Sequence, residues 1–329
     1  MAIEHLLLTG GTGFFGKALL RHWQVLGRSE CLPPRVTVLS RNPDRFRQMF
    51  PDISNSEWLD FASGDVLHPT SLPRIPGITH VLHAASDSTL GPALSPLQQF
   101  DQIVNGTRNI LDLTISLGAS HFLLCSSGGV YGSFPSGVTC IDEAHMGIPD
   151  PLEPANAYGI GKRAAEHLCA VYARQFDLHV VIARGFAFVG QDLPLDAHFA
   201  IGNFIRDALV KPSIVVNGDG SPIRSYMDQR DLARWLVSIL EHGERGRAYN
   251  VGSDHPITIR DLAALVRDLL APHKPVKILS AEHKSSGARN IYVPSVNLAR
   301  DKLQLHMNFK LDESIVETAK HVAGSSFMH

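Results

Sequence analysis

Residues Leu6 to Gly16, LLLTGGTGFFG, leave few folds open. An apolar run enters a cluster of glycines, and an apolar segment compatible with a helix follows. That pattern reads as a buried strand, a tight turn and a helix start. Gly10, Gly13 and Gly16 stand at the spacing G-x-x-G-x-x-G. The first permits the turn, the second lets backbone approach a pyrophosphate, and the third allows close helix–strand packing. Phosphates would then sit at the helix N-terminus, where backbone N–H groups and the macrodipole favour negative charge. A glycine triplet alone is weak evidence. Between a strand and a helix it has the context of a dinucleotide fingerprint, with Phe14 and Phe15 at the start of the helix.

The chain has 329 residues, 44% apolar and 19% charged, enough for a large core in one or two domains and too apolar for disorder. A net charge of −2 supplies no basic field to attract nucleic acid. The four cysteines, Cys31, Cys125, Cys140 and Cys169, lack C-x-x-C spacing and fit reduced thiols, with Cys125 a small core residue. The histidines lack metal-ligand spacing, so no metal is assigned. The N-terminal apolar run is short and ends in glycines, unlike a signal peptide, and no stretch approaches membrane-spanning length. A cytoplasmic protein without membrane partners is expected.

Strands and helices then alternate. After a helix from Phe14 to Gly27, strands are expected at Arg35–Leu39, Trp58–Phe61, Thr79–His83, His121–Cys125 and Leu178–Ala183. Long helices are expected at Gln98–Leu117 and Glu153–Phe176. This alternation predicts an α/β Rossmann fold, a doubly wound parallel sheet, over residues 1–184. A smaller mixed α/β lobe is expected over 185–329, with some segments interleaved. Strand two ends in Ser40 and Arg41 with no acid to bind a ribose 2′-OH, which favours NADP over NAD. The competing reading places Arg41 over the adenine or in solvent, with NAD bound. Asp65, before Val66, could hydrogen-bond the adenine or close a turn. Ala84 and Ala85, after strand four, leave space for the cofactor.

Ser126 and Ser127 follow strand five, and Tyr158 and Lys162 stand four apart on a helix and share a face. An ammonium beside a phenol lowers its pKa, and a serine hydroxyl can hold the same substrate oxygen. Tyrosine then exchanges a proton with a hydroxyl or carbonyl while hydride moves to or from a nicotinamide. Y-x-x-x-K alone is common. The order of Gly-rich turn, serine after strand five and Y-x-x-x-K is far more specific.

In that order TGGTGFFG, GDV, HAAS, GTRNIL, SSGGVYG, YGIGK, RGFAFVG, GDGSPIRSYMDQRDLA and YNVGS span most of the chain. It resembles an extended short-chain dehydrogenase/reductase of the nucleotide-sugar epimerase/dehydratase family. The resemblance implies a catalytic triad of Ser127, Tyr158 and Lys162. It places Gly10, Gly13, Gly16, Asp65 and Ala84–Ala85 along the cofactor and Asn203 against a substrate diphosphate. It also implies that Arg224 pairs with the same diphosphate, as a guanidinium can do bidentately. A homodimer through the helices at Gln98–Leu117 and Glu153–Phe176 is implied likewise.

The departures narrow the chemistry. Dehydratases of the family carry an Asp-Glu pair after the triad's Ser or Thr, and decarboxylases a Glu. Here those positions are Gly128 and Gly129. Ala187 and Ile103 stand where relatives often carry asparagine. The expectation is therefore reduction of a 4-keto sugar nucleotide. A 4-epimerase that retains NAD is the alternative, and a non-catalytic dinucleotide-binding protein a more distant one. Asp231 and Thr258 read as residues of helix N-termini.

Overall fold

The computed structural model describes residues 2–27, 32–86, 94–135, 137–279 and 291–326. Cys31 lies outside them. The chain forms two compact units. The first comprises Met1–Gly132, Ile148–Gly185 and Ala233–Tyr249. The second comprises Ser133–Gly147, Phe186–Leu232 and Asn250–His329.

In chain order, the first unit begins with β1 (His5–Thr9), α1 (Phe14–Leu26), β2 (Arg35–Ser40), α2 (Pro43–Met49), α3 (Pro51–Ser54) and β3 (Leu59–Ser63). It continues with β4 (His80–His83), α4 (Pro96–Ser116), β5 (His121–Ser127), α5 (Ala157–Gln175) and β6 (His179–Gly185). The second unit follows with β7 (Phe188–Val189), α6 (Ala200–Val210), β8 (Ile214–Asn217), β9 (Ile223–Arg224) and β10 (Met227–Asp228). Helix α7 (Gln229–His242) and strand β11 (Ala248–Val251) lead back into the first unit. The rest is β12 (Ile257–Thr258), α8 (Ile259–Leu270), β13 (Val276–Leu279), β14 (Ile291–Tyr292), α9 (Asn297–Leu303) and α10 (Leu311–Ser326).

The expected doubly wound sheet is present. Its seven strands run in the order β11-β6-β5-β4-β1-β2-β3, and β1 to β6 pair in parallel. Strand order reverses between β1 and β4. In open α/β sheets that switch point, at the carboxyl ends of the strands, is where ligands bind. The strands are apolar on both faces, as a sheet covered by helices requires. Leu7, Val81, Phe122 and Val180 join Ile103, Ile110 and Leu111 of α4 and Ala165 and Cys169 of α5 in one core cluster. The intervening Leu6, Leu8, Leu82, Leu123 and Val181 are equally buried and turn to the opposite face.

Element ends differ from the sequence reading for local reasons. Ser95 and Gln98 form a reciprocal capping box, so α4 starts at Pro96. The Glu153 carboxylate caps a 3-10 turn at Pro154–Asn156, and α5 begins only at Ala157. Strand β3 starts at Leu59 and runs to Ser63, and β5 carries on through Ser127. Thr258 does cap α8, accepting from Asp261 N at 3.0 Å.

In the second unit, α6, α8 and α10 pack on one another. Short sheets pair β7 with β10, β8 with β13, and β9 with β12 and β14. Asp231 lies in the first turn of α7, fully buried, and its carboxylate accepts from the backbone N–H groups of Asn308 and Phe309 at 2.8 and 3.1 Å. It anchors the segment that leads into α10.

Candidate active site

The three glycines of the opening motif have three different surroundings. Gly10 has φ +71°, and a Cβ there would lie 2.6 Å from the Ala84 carbonyl carbon and oxygen. A Cβ on Gly16 would lie 2.2 Å from Gly11 Cα, so this glycine serves the turn against the helix rather than helix-on-strand packing. Gly13 differs from both. It has φ −85°, is exposed, and a Cβ there would meet only Gly10 O at 3.4 Å. The protein itself tolerates a side chain at 13, whereas a pyrophosphate against the backbone would not. Gly13 is also the N-cap of α1, with no side-chain cap and no acidic residue in the first turn. These features fit a dinucleotide at the helix N-terminus. Phe14 and Phe15 follow, half-buried and edge-to-face at 6.1 Å.

Around the switch point, Ala84 N donates to Thr9 O at 3.2 Å and Ala85 N to Thr9 Oγ1 at 3.2 Å. Thr9 Oγ1 also meets His83 Nδ1 at 2.7 Å. Burial lowers the His83 pKa to about 3, so it stays neutral. Asp65 closes its own turn, Oδ1 accepting from Leu67 N at 2.9 Å, and Val66 O accepts from Asn109 of α4. Ser40 Oγ accepts from Asn42 N at 3.2 Å, Asn42 caps α2, and Arg41 is exposed.

Ser127, Tyr158 and Lys162 come together at the C-terminal end of β5. Ser127 Oγ accepts from Gly129 N at 3.0 Å. A Cβ on Gly129 would lie 3.2 Å from Ser127 Oγ and 3.3 Å from Tyr158 Cε1, so the hydroxyl and the phenol ring flank the same point. Lys162, 4% exposed, donates to Cys125 O at 2.8 Å and to Ser86 Oγ at 3.0 Å, with Nζ 5.9 Å from the Tyr158 ring centroid. Burial lowers its pKa to about 8. Glycines at 128 and 129, both buried, place no carboxylate beside the phenol.

Sequence reading missed the support beneath this group. Glu166, one helical turn beyond Lys162, accepts from Ser126 Oγ at 2.6 Å and from Arg184 Nε and Nη2 at 3.0 and 2.7 Å. Arg184 Nη1 donates to Tyr131 OH at 2.9 Å. The four-residue spacing Tyr158, Lys162, Glu166 was the available signal. Ser86 gave none, since nothing local marks it as a lysine partner.

In the second unit, Asn203 lies on α6 and lines a cleft of about 570 Å³ with His198, Arg206, Asp207, Lys211 and Asn217. Arg224 lies on β9, half-buried, its Nη1 donating to Ile223 O at 2.8 Å. Ile103 is a core residue against Gly161, and Ala187 O accepts from Met227 N at 3.0 Å. Among the described residues no group of His, Cys, Asp or Glu could hold a metal ion, and no helix is long and apolar enough to cross a membrane.

The model of the NAD dependent epimerase/dehydratase family matches residues 6–252. The chain belongs to this family. UDP-glucuronic acid decarboxylase 1 of Arabidopsis thaliana is 27% identical over 313 residues, which cover 94% of this chain and 68% of the relative. Among solved structures, a dTDP-glucose 4,6-dehydratase double mutant from Streptomyces venezuelae with NAD bound superposes with a TM-score of 0.83 at 23% identity, covering 98% of both chains. UDP-glucuronic acid 4-epimerase from Bacillus cereus, in complex with UDP-glucuronic acid and NAD, gives a TM-score of 0.81 at 20% identity, covering 98% of this chain and 99% of that one. The two structural likenesses are likenesses of fold.

Proposed function

We propose that this member of the family is an NAD(P)-linked oxidoreductase acting at C4 of a nucleotide-activated sugar, most simply as a reductase of a 4-keto sugar nucleotide. One observation carries the reading. Ser127, Tyr158 and Lys162 converge while Gly128 and Gly129 leave no carboxylate beside them. Glu166, the next carboxylate along α5, is held by Arg184 and Ser126. Proton exchange at a carbonyl or hydroxyl is thus supplied, and positions 128 and 129 offer no second acid or base for expelling water or carbon dioxide. Decarboxylation is accordingly not carried over from the Arabidopsis relative.

The turn at Gly10–Gly16, with Phe14, Phe15, Asp65, Val66, Ala84 and Ala85, would hold the dinucleotide. When bound, it supplies or accepts the hydride. Ser127 Oγ holds the substrate oxygen, and the Tyr158 phenol gives that oxygen a proton in reduction or takes one in oxidation. The Lys162 ammonium favours the phenolate by its charge. Asn203 and Arg224 would bind the diphosphate. Ser40 and Arg41, with no acid at the end of β2, support NADP. The NAD of the family description and of the two solved neighbours supports a second reading, a 4-epimerase that retains its cofactor.

Purified protein separates these readings. Mass spectrometry of released cofactor is paired with turnover of a 4-keto sugar nucleotide, with NADPH or NADH added. Reductant consumed in proportion to product supports the reductase. Bound NAD with turnover lacking added reductant makes it an epimerase. Cofactor preference unchanged in Arg41→Ala removes the argument for NADP. Full activity in Tyr158→Phe would overturn both catalytic readings.

A further inference from the structure

We propose that Arg206 is a positioning residue for substrate binding: it holds the side-chain oxygen of Asn203, so that the amide N–H groups are what α6 offers to a nucleoside diphosphate. This rests on the reading of the second unit as the part that binds the nucleotide sugar.

An asparagine amide has an acceptor end and a donor end of nearly the same shape, and a half-turn about its last torsion exchanges them. Before a diphosphate the two ends have opposite effects. The N–H end donates to phosphoryl oxygens, and the carbonyl end sets lone pairs against them. Some other group must fix the choice. On α6, Arg206 follows Asn203 by three residues, the spacing that brings side chains together on one helix face. Its Nη1 donates to Asn203 Oδ1 at 3.1 Å and to Leu195 O at 3.2 Å.

The guanidinium is itself fixed. Nε and Nη2 donate to Asp207 Oδ1 at 3.1 and 2.8 Å. Asp207 is buried, and its Oδ2 accepts from Val215 N at 3.4 Å on β8. One rigid fork therefore spans a buried carboxylate, a backbone carbonyl and the amide oxygen. A lysine, with a single point of donation, cannot reproduce that arrangement. The pairing with Asp207 also cancels the carboxylate's charge, which would otherwise repel an anion. Lys211 lines the same cleft and adds a charge of the sign an anion prefers, while His198, whose charged form burial disfavours, lines it as a neutral ring. Asn203 is thus oriented before ligand arrives, which removes an ordering cost from binding.

Titration calorimetry of the full-length protein with UDP and with dTDP tests the role. Asn203→Ala is expected to weaken binding about tenfold, the effect of losing one charge-assisted hydrogen bond. Arg206→Met is expected to weaken it about as much, and Arg206→Lys to recover little. The double variant Asn203→Ala/Arg206→Met should bind within about twofold of Asn203→Ala alone, because the two residues act as one unit. In turnover KM should rise with kcat held. Should Arg206→Met fold poorly with Asp207 left unpaired, Arg206→Met/Asp207→Asn removes both charges and carries the same expectation. Wild-type affinity in Arg206→Met, or losses that multiply in the double variant, would overturn the inference while leaving the proposed function standing. Wild-type protein that takes up dinucleotide but neither UDP nor dTDP would remove the proposed function and this inference with it.

Discussion

Glu166 and Arg184 face each other across two hydrogen bonds, Nε to Oε1 at 3.0 Å and Nη2 to Oε2 at 2.7 Å, with side chains 9% and 14% exposed. The pair reaches Ser126 on one side and Tyr131 on the other, so it brackets the stretch that carries Ser127. Breaking a buried pair from one side strands a charge. Arg184→Met should therefore cost about 3–5 kcal/mol in urea unfolding, and Glu166→Leu added to it should recover most of that loss. A loss below about 1 kcal/mol in the single variant would contradict this.

The opening glycines separate stability from binding. Gly10→Ala and Gly16→Ala force a Cβ into backbone and should lower the melting temperature strongly. Gly13→Ala meets nothing tighter than 3.4 Å and should stay within about 1 kcal/mol of wild type, the scale of an N-cap exchange. Its dinucleotide affinity should nevertheless fall at least about tenfold by calorimetry. Unchanged affinity would place the pyrophosphate elsewhere.

Lys162 titrates at about 8 in the folded protein because burial disfavours its charged form, against an ordinary value of 10.5. Between those values the unfolded chain binds the extra proton, so this lysine's contribution to stability rises with pH through that window. The gap in melting temperature between wild type and Lys162→Met should accordingly move in favour of wild type from pH 7 to pH 10. If catalysis needs the ammonium, kcat/KM should fall above about pH 8. A gap independent of pH would show that the ammonium is not desolvated.

At the opposite edge of the sheet, His80, His121 and His179 sit at matching register on β4, β5 and β6, with ring centroids 4.4 and 4.7 Å apart. Burial, then the His121 neighbour, lowers His80 to about 4, and burial lowers His83 to about 3. Below about 6.5 the unfolded chain takes up protons that the folded chain refuses, so stability falls as the pH drops toward 4. Each pH unit in that window is worth about 1.4 kcal/mol per histidine. Urea midpoints at pH 7 and pH 5 should differ markedly in wild type and less in His80→Phe. Equal pH sensitivity in both would remove His80 from the account.

The sheet, the turn and the meeting of Ser127 with Tyr158 and Lys162 could be read from the chain because each depends on contiguous residues or on a fixed spacing. Gly10 and Gly16 were legible as glycines of necessity, and Lys162 as a neighbour of Tyr158 on one helix face. The partners of these residues were not. Ser86 reaches Lys162, and Arg184 reaches Tyr131, by sheet topology, and side chains distant along the chain announce no such meeting. Asp65 was open between two roles; its Oδ1 closes the turn, and its place beside the dinucleotide stays a proposal. The short strands β7, β9, β10, β12 and β14 have two residues each, too few for any periodicity to register.

The boundary between the two units at Tyr249 and Asn250 falls inside β11, the edge strand next to β6. Swapping the second unit with that of a relative therefore cannot be done by one clean splice, because α7 from Ala233 onward and the first half of β11 must stay with the host. A fragment ending near residue 185 would lack the buried Trp235 of α7 and would bare the backbone edge of β6, an invitation to pair with a neighbouring chain and precipitate.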